Sequence, residues 1–217
     1  MVKKAEPAAA IQPDTIENVN VFQAQPETEA KKRTVLLHSC CGPCSTACIE
    51  RLLPDYKVTV FFYNPNITDR DEYERRREAQ IKFIQAYNEK LPEEDRVEFI
   101  EGEYLPDDFF EVCSGFSNEP EGGRRCTECF KLRMERTAQV ALKTGNAMFG
   151  TTLTVSPHKN YMLISAIGTS LAELYGVEFL DVEFKKKAGF QRSIQMSKEY
   201  GLYRQNYCGC IYSMRTE

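Results

Sequence analysis

The chain has 217 residues, 42% of them hydrophobic and 11% aromatic, which is enough for one well-buried domain and short for two. Its formal net charge of −4 and pI near 5.5 argue against broad non-specific nucleic-acid binding, while leaving room for local basic patches. No apolar run approaches a membrane span and the first residues lack a secretory pattern, so a cytosolic protein is expected, and its nine cysteines point to metal binding or catalysis rather than structural disulfides.

Residues 1–32 mix Ala, Pro, Gln, Glu and Lys with few large apolar side chains, and cannot bury enough surface to offset the entropy of ordering. A disordered or loosely docked extension is expected there, with Ile16 to Phe22 as a short docked element at most. The α/β domain then occupies 33–217. Its first strand, Arg33 to His38, runs into the turn His38-Ser39-Cys40-Cys41-Gly42-Pro43-Cys44, and a helix is expected from Ser45 or Thr46 to about Leu53.

Lys57 to Tyr63 is β-branched and aromatic and reads as a buried second strand. Asp69 or Asp71 can cap a long helix to Asn88, with Tyr73, Ile81, Ile84 and Tyr87 inside and Arg75, Arg76 and Arg77 outside. Val97 to Ile100 is a third strand. The looser stretch from Gly102 to Gly123 holds a short helix, Asp107 to Val112, and has the composition of a loop over a site. A helix from Thr127 to Lys143, a strand from Ala147 to Leu153, a helix from Asn160 to Tyr175, a strand from Val177 to Phe184 and a helix from Phe190 to Tyr200 complete the alternation. Five strands with crossover-length connections imply a single doubly wound, mainly parallel sheet with helices on both faces. Sites in such folds form outside the carboxyl ends of the strands, where the cysteine turn lies.

Three cysteine motifs carry the chemistry. Cys41-Gly42-Pro43-Cys44 has the spacing of a thioredoxin dithiol, but Cys40 beside it and a second CxxC downstream argue against that simple redox use. Thiols at this helix start lie near unpaired backbone N–H groups and the positive end of the helix dipole, which favour thiolate. Cys126-Thr127-Glu128-Cys129 heads a helix, so its thiols lie one turn apart and can face one metal. Together the two groups supply a four-thiolate set that suits tetrahedral zinc or an iron–sulfur cluster equally on geometry. Cys208-Gly209-Cys210 can divide between neighbouring metals or form a strained, easily reduced disulfide. Cys48 and Cys113 read as a buried apolar thiol and a bystander, and His38 as a hydrogen-bonded structural residue. His158 and Lys159 are better placed for phosphate contact. No Walker, GxGxxG or Ser-Gly-Gly loop is present.

HSCCGPC after the first strand, FYNPNI ending the second, then YERRREAQ, RCTEC, ERTAQVALKTG, GTTLTVSPHKN and GLYRQNYCGCIYS resemble, in order, the QueH family of epoxyqueuosine reductases. The resemblance covers about residues 33–217. It implies an iron–sulfur enzyme that reduces epoxyqueuosine at the wobble position of tRNA to queuosine, drawing on an unidentified electron donor. It further implies Cys40, Cys41, Cys126 and Cys129 as ligands of a [4Fe–4S] cluster, with Cys208 and Cys210 as a redox-active pair. An alternative division gives the cluster one thiol of each close pair and leaves the others, with Cys44, to hold a separate iron beside it. Some family members carry Asp at the position of Cys44, so the thiolate here leaves that second site's metal open. For tRNA, the expected contacts are Lys159, Arg204 and Arg75, with Arg76 and Arg77 either joining them or forming a solvated helix face. The competing reading is a non-catalytic zinc or RNA-binding protein that uses the thiolates for stability.

Overall fold

The computed structural model describes residues 32–214. The expected N-terminal extension, including Ile16 to Phe22, lies outside the described residues, apart from Lys32. That lysine is anchored to the domain by its ammonium, which donates to the Leu53 carbonyl at 2.8 Å and meets Asp95 at 2.6 Å.

Five strands form one sheet: β1 (Arg33–His38), β2 (Tyr56–Phe62), β3 (Glu98–Glu101), β4 (Met148–Thr151) and β5 (Glu178–Phe179). All are parallel, in the order β3-β2-β1-β4-β5. The helices are α1 (Gly42–Leu52), α2 (Arg70–Asn88), α3 (Pro106–Val112), α4 (Arg124–Lys143), α5 (Tyr161–Tyr175) and α6 (Gly189–Glu199). Alternation along β1 sorts the core into two layers, because successive side chains point to opposite faces. Val35 and Leu37 pack with Ile49, Phe83 and Met196 of α1, α2 and α6. Leu36 packs with Phe149 and with Ala138 and Ala141 of α4. The strand order reverses between β1 and β4, and the crevice at that switch point opens beyond His38 and Thr151.

Several boundaries differ from expectation, among them the start of α4 at Arg124 instead of Thr127, and three of the differences have a local reason. Helix α1 starts at Gly42, not at Ser45 or Thr46, since Pro43 is tolerated in a first turn whose N–H groups have no intrahelical partner. Strand β4 ends at Thr151, whose hydroxyl accepts from the Leu153 amide and starts a 3-10 turn over Thr152–Val155. Strand β5 pairs only Glu178 and Phe179 with Met148 and Phe149, although β4 runs on to Thr151. The segment expected to continue β5 to Phe184 docks on that turn instead, with Thr154 Oγ1 donating to the Val182 carbonyl at 2.7 Å and the Lys185 amide donating to the Thr154 carbonyl at 3.0 Å.

Candidate metal centre

The floor of the site is the set of strand ends. His38 is fully buried, and its Nε2 lies 3.1 Å from the Tyr63 carbonyl while Nδ1 lies 3.0 Å from Thr151 Oγ1. A carbonyl only accepts, so Nε2 carries the proton and Nδ1 accepts from the threonine. Burial, with help from the Arg133 charge, holds the imidazole pKa down at about 3, which keeps it neutral. His38 therefore ties β1 to β2 and β4, as the structural reading of that residue expects. Ser39 continues the brace: its hydroxyl donates to Gln80 Oε1 of α2 at 2.6 Å, and its carbonyl accepts from Asn64 Nδ2 at 2.8 Å.

On this floor stand Cys40, Cys41 and Cys44, whose sulfurs all lie within 4.8 Å of one another. Cys41 is the N-cap of α1 and Cys44 falls in its first turn. The approach of α1 to α2 sets their depth, since a Cβ on Gly42 would sit 2.6 Å from the Ala79 carbonyl oxygen. Gln205 Nε2 donates to Cys41 Sγ at 2.9 Å. Without a metal, the trio shares its protons unequally. Hydrogen bonds from the Cys41 and Cys44 thiols pull Cys40 well below the usual thiol range, while burial and the Cys40 charge push Cys41 up to about 12. Three soft sulfur donors, with one poised as thiolate, are what a thiophilic metal requires.

A second thiol group adjoins the first. Cys126, Cys129, Cys208 and Cys210 line one small cavity with Asn66, His158 and Lys159. Cys208 and Lys159 also line the neighbouring cavity of about 490 Å³ that reaches Cys40 and Cys44. The tight trio is thus Cys40, Cys41 and Cys44. No group of three including Cys126 or Cys129 reaches that spacing among the described residues. All nine cysteines are free thiols. Cys48 is buried in the apolar core, as expected. Cys113, expected to be a bystander, packs against Cys129 and Cys210 with Phe109, and its sulfur lies 3.8 Å from the Arg125 carbonyl.

Buried arginines hold the loops that deliver these thiols. Arg76, expected on an outer helix face, is 1% exposed. Its guanidinium pairs with buried Glu72 at 2.6 Å and donates to the carbonyls of Cys208 at 3.0 Å and Tyr207 at 3.2 Å. A lone buried carboxylate is unfavourable, yet the Tyr203 hydroxyl, Arg76 and Arg75 together hold Glu72 below its ordinary pKa. Between the two CxC thiols, Gly209 has φ +119°, and its carbonyl accepts from the Thr68 amide at 3.2 Å. A Cβ there would lie 3.1 Å from Arg76 Nη1, so the loop needs glycine for both conformation and space. Arg125, at the head of α4, donates from Nη1 to the carbonyls of Phe116, Ser117 and Glu119 and so anchors the stretch before Cys126.

The remaining basic residues divide by depth. Arg204 is exposed at the rim of the large cavity and lies over the Phe190 ring at 5.5 Å. Lys159 is half-buried among the thiols. Arg75 is exposed, paired with Glu72 at 2.9 Å and lying over Tyr203 at 5.3 Å. Arg77 is drawn to Glu101 at 2.7 Å. Sequence reasoning missed Glu72, Arg125, Arg133 and Gln205. The helical ones were findable, because Glu72, Arg76 and Gln80, like Arg125, Cys129 and Arg133, recur every fourth residue on the buried stripes of α2 and α4.

The family model described as epoxyqueuosine reductase QueH matches residues 35–216. Curated relatives of that name include one from Streptococcus pyogenes serotype M1, 40% identical over 88% of this chain and 74% of the relative. Another, from Staphylococcus epidermidis, is 41% identical over 88% and 80%. One from Thermotoga maritima is 39% identical over 83% and 90%. With a parallel sheet whose switch point is lined by cysteines from three separated segments, and a family match across nearly all of its described length, the chain belongs to the epoxyqueuosine reductase QueH family of oxidoreductases.

Proposed function

We propose that this chain reduces epoxyqueuosine in tRNA to queuosine, with its thiolates holding an iron–sulfur centre. The observation that carries the reading is the convergence of seven thiols, from the turn after β1, the start of α4 and the C-terminal CxC, at the strand ends, six of them lining two adjoining cavities and Cys41 within 4.8 Å of Cys40 and Cys44. Either a structural zinc or a [4Fe–4S] cluster takes four thiolates, and the three left over favour a redox centre with a second metal and a dithiol beside it over a lone structural zinc. Cys40, Cys41, Cys126 and Cys129 would hold the cluster, and Cys44, nearest in space to Cys40 and Cys41, would hold an additional iron beside it. Such a centre, when bound, supplies electrons one at a time.

Removing the epoxide oxygen leaves a carbon–carbon double bond and one water, and consumes two electrons and two protons. Cys208 and Cys210 meet that demand as a redox pair, because oxidising one dithiol to a disulfide releases two electrons and two protons. The cavity of about 490 Å³ receives the modified base, Arg204 at its rim and Arg75 on the exposed face of α2 engage the RNA backbone, and Lys159 faces the reacting end. The electron donor is a separate partner. No helix among the described residues is long and apolar enough to cross a membrane.

The test is anaerobic purification followed by iron and acid-labile sulfide analysis, visible spectroscopy and nucleoside analysis of epoxyqueuosine-containing tRNA after incubation with a chemical reductant. The expected protein is brown and forms queuosine, and Cys126→Ala loses iron and activity together. A colourless zinc protein overturns the reading, and full iron in Cys126→Ala overturns the ligand set.

A further inference from the structure

Arg133 is a buried cation without a carboxylate. It lies on α4 one turn beyond Cys129 and is 1% exposed. Its Nε donates to the Cys129 carbonyl at 3.2 Å, and the guanidinium lies 5.8 Å from the Phe130 ring centre. Its Nη2 is buried with no hydrogen-bond partner. Of the other buried arginines at the site, Arg76 has Glu72 and two carbonyls and Arg125 has three carbonyls, whereas Arg133 has one carbonyl and no acidic side chain pairs with it among the described residues. An uncompensated buried charge costs several kcal/mol, so a fold that keeps one at this depth is expected to meet it with an anion.

Arg133 shares the large cavity with three thiols, Cys40, Cys44 and Cys208, and with Glu121, which does not pair with it. A guanidinium stays protonated at any working pH, so the charge is permanent. Arg76, Lys159 and Arg204 also line that cavity, but Arg76 is paired with Glu72, Arg204 is exposed and Lys159 is half-buried on a flexible stem, while Arg133 is held by its Nε contact and by packing on Phe130.

We infer that Arg133 is the fixed counter-charge of the thiolate-bound centre, with its free Nη2 donating to a sulfur of that centre, and that it holds the centre's reduction potential up. The inference rests on the iron–sulfur reading above and deepens it. Adding an electron makes the centre more negative, so a permanent cation and a hydrogen bond to sulfur both favour the reduced form. Arg133 is in this sense a tuning residue that acts through the centre, not one that reacts.

The experiment compares wild type with Arg133→Gln, which removes the charge but keeps an amide donor, and Arg133→Lys, which keeps the charge. Each is purified anaerobically and read for iron and sulfide content, midpoint potential by spectroelectrochemistry, and affinity for tRNA. Arg133→Gln is expected to keep its iron and lose at least tenfold in the equilibrium constant for one-electron reduction, a fall of 59 mV. Arg133→Lys is expected to recover most of that fall. Loss of iron in Arg133→Gln with retention in Arg133→Lys also supports a counter-charge. An unchanged potential in iron-replete Arg133→Gln overturns the inference while leaving the iron–sulfur reading intact, and so does weakened tRNA binding at unchanged potential, which would mark a phosphate contact. Iron loss in both variants overturns it in favour of a purely structural role. Wild-type protein without iron overturns the underlying reading, and this inference falls with it.

Discussion

Arg76 Nη1 donates to the carbonyl oxygen of Cys208 at 3.0 Å across 132 positions of sequence. This bond joins the first turns of α2 to the C-terminal CxC. The same guanidinium takes the Tyr207 carbonyl and the Glu72 carboxylate and lies 5.2 Å from the Tyr207 ring centre, so a single side chain sets where Cys208 stands relative to the strand ends.

Removing that side chain leaves Glu72 buried without its main cation and two carbonyls without donors. Arg76→Met is expected to lower the unfolding free energy by about 3–5 kcal/mol, the usual loss on breaking a buried ion pair from one side. Arg76→Lys should recover only part of it, because one ammonium cannot reproduce the fork. Urea denaturation of the three proteins checks the order. Wild-type stability in Arg76→Met would mean that the pair contributes nothing net.

Cys210 and Cys208 differ in surroundings in a way that bears on their roles. Cys210 is packed against Phe109, Cys113 and Cys129, with its sulfur 3.4 Å from Ser213 Oγ, whereas Cys208 lines both cavities. If the two form a redox pair, Cys210→Ser keeps most of the visible absorbance and loses reduction of the modified base. Parallel spectra and single-turnover assays read both properties. Bleaching in Cys208→Ser or Cys210→Ser would instead divide the pair between metals and overturn the redox assignment.

Binding of tRNA by an acidic protein requires a local basic rim. Arg204 is exposed at the cavity mouth, and Lys159 stands inside it. Arg204→Ala is expected to weaken tRNA binding and to reduce the slope of log affinity against log salt by about one, and Lys159→Ala to do the same if it meets a phosphate. Titration from low to moderate salt gives both quantities. Unchanged affinity and slope in both variants would remove these residues from the interface.

The alternation of strands and helices, and with it the doubly wound sheet, was legible in the sequence, because Arg33 to His38, Lys57 to Tyr63 and the amphipathic helices each carry their own period. The cysteine turn after β1 was legible as a site for the same reason: a parallel sheet places the end of its first strand at the crevice. Element ends were less so. Strand β4 stops where Thr151 turns its hydroxyl on Leu153, and β5 keeps only two residues because the segment after it docks on the turn at Thr154. Which thiols lie together was also decided in three dimensions. Cys44 joins Cys40 and Cys41 because Pro43 lets α1 begin at Gly42, while Cys113 reaches Cys129 and Cys210 through the packing of the stretch before α4.

The buried cations show the limit most clearly. Arg76 and Arg133 look like surface residues by type, and charge alone sends such residues to solvent. Their positions on the buried stripes of α2 and α4 are in the sequence. What surrounds them, two loop carbonyls at the C-terminal CxC for Arg76 and a cavity shared with Cys40, Cys44 and Cys208 for Arg133, comes from segments far along the chain that meet only in the fold. A helical period states which side of a helix faces inward, and only the tertiary structure supplies what waits there.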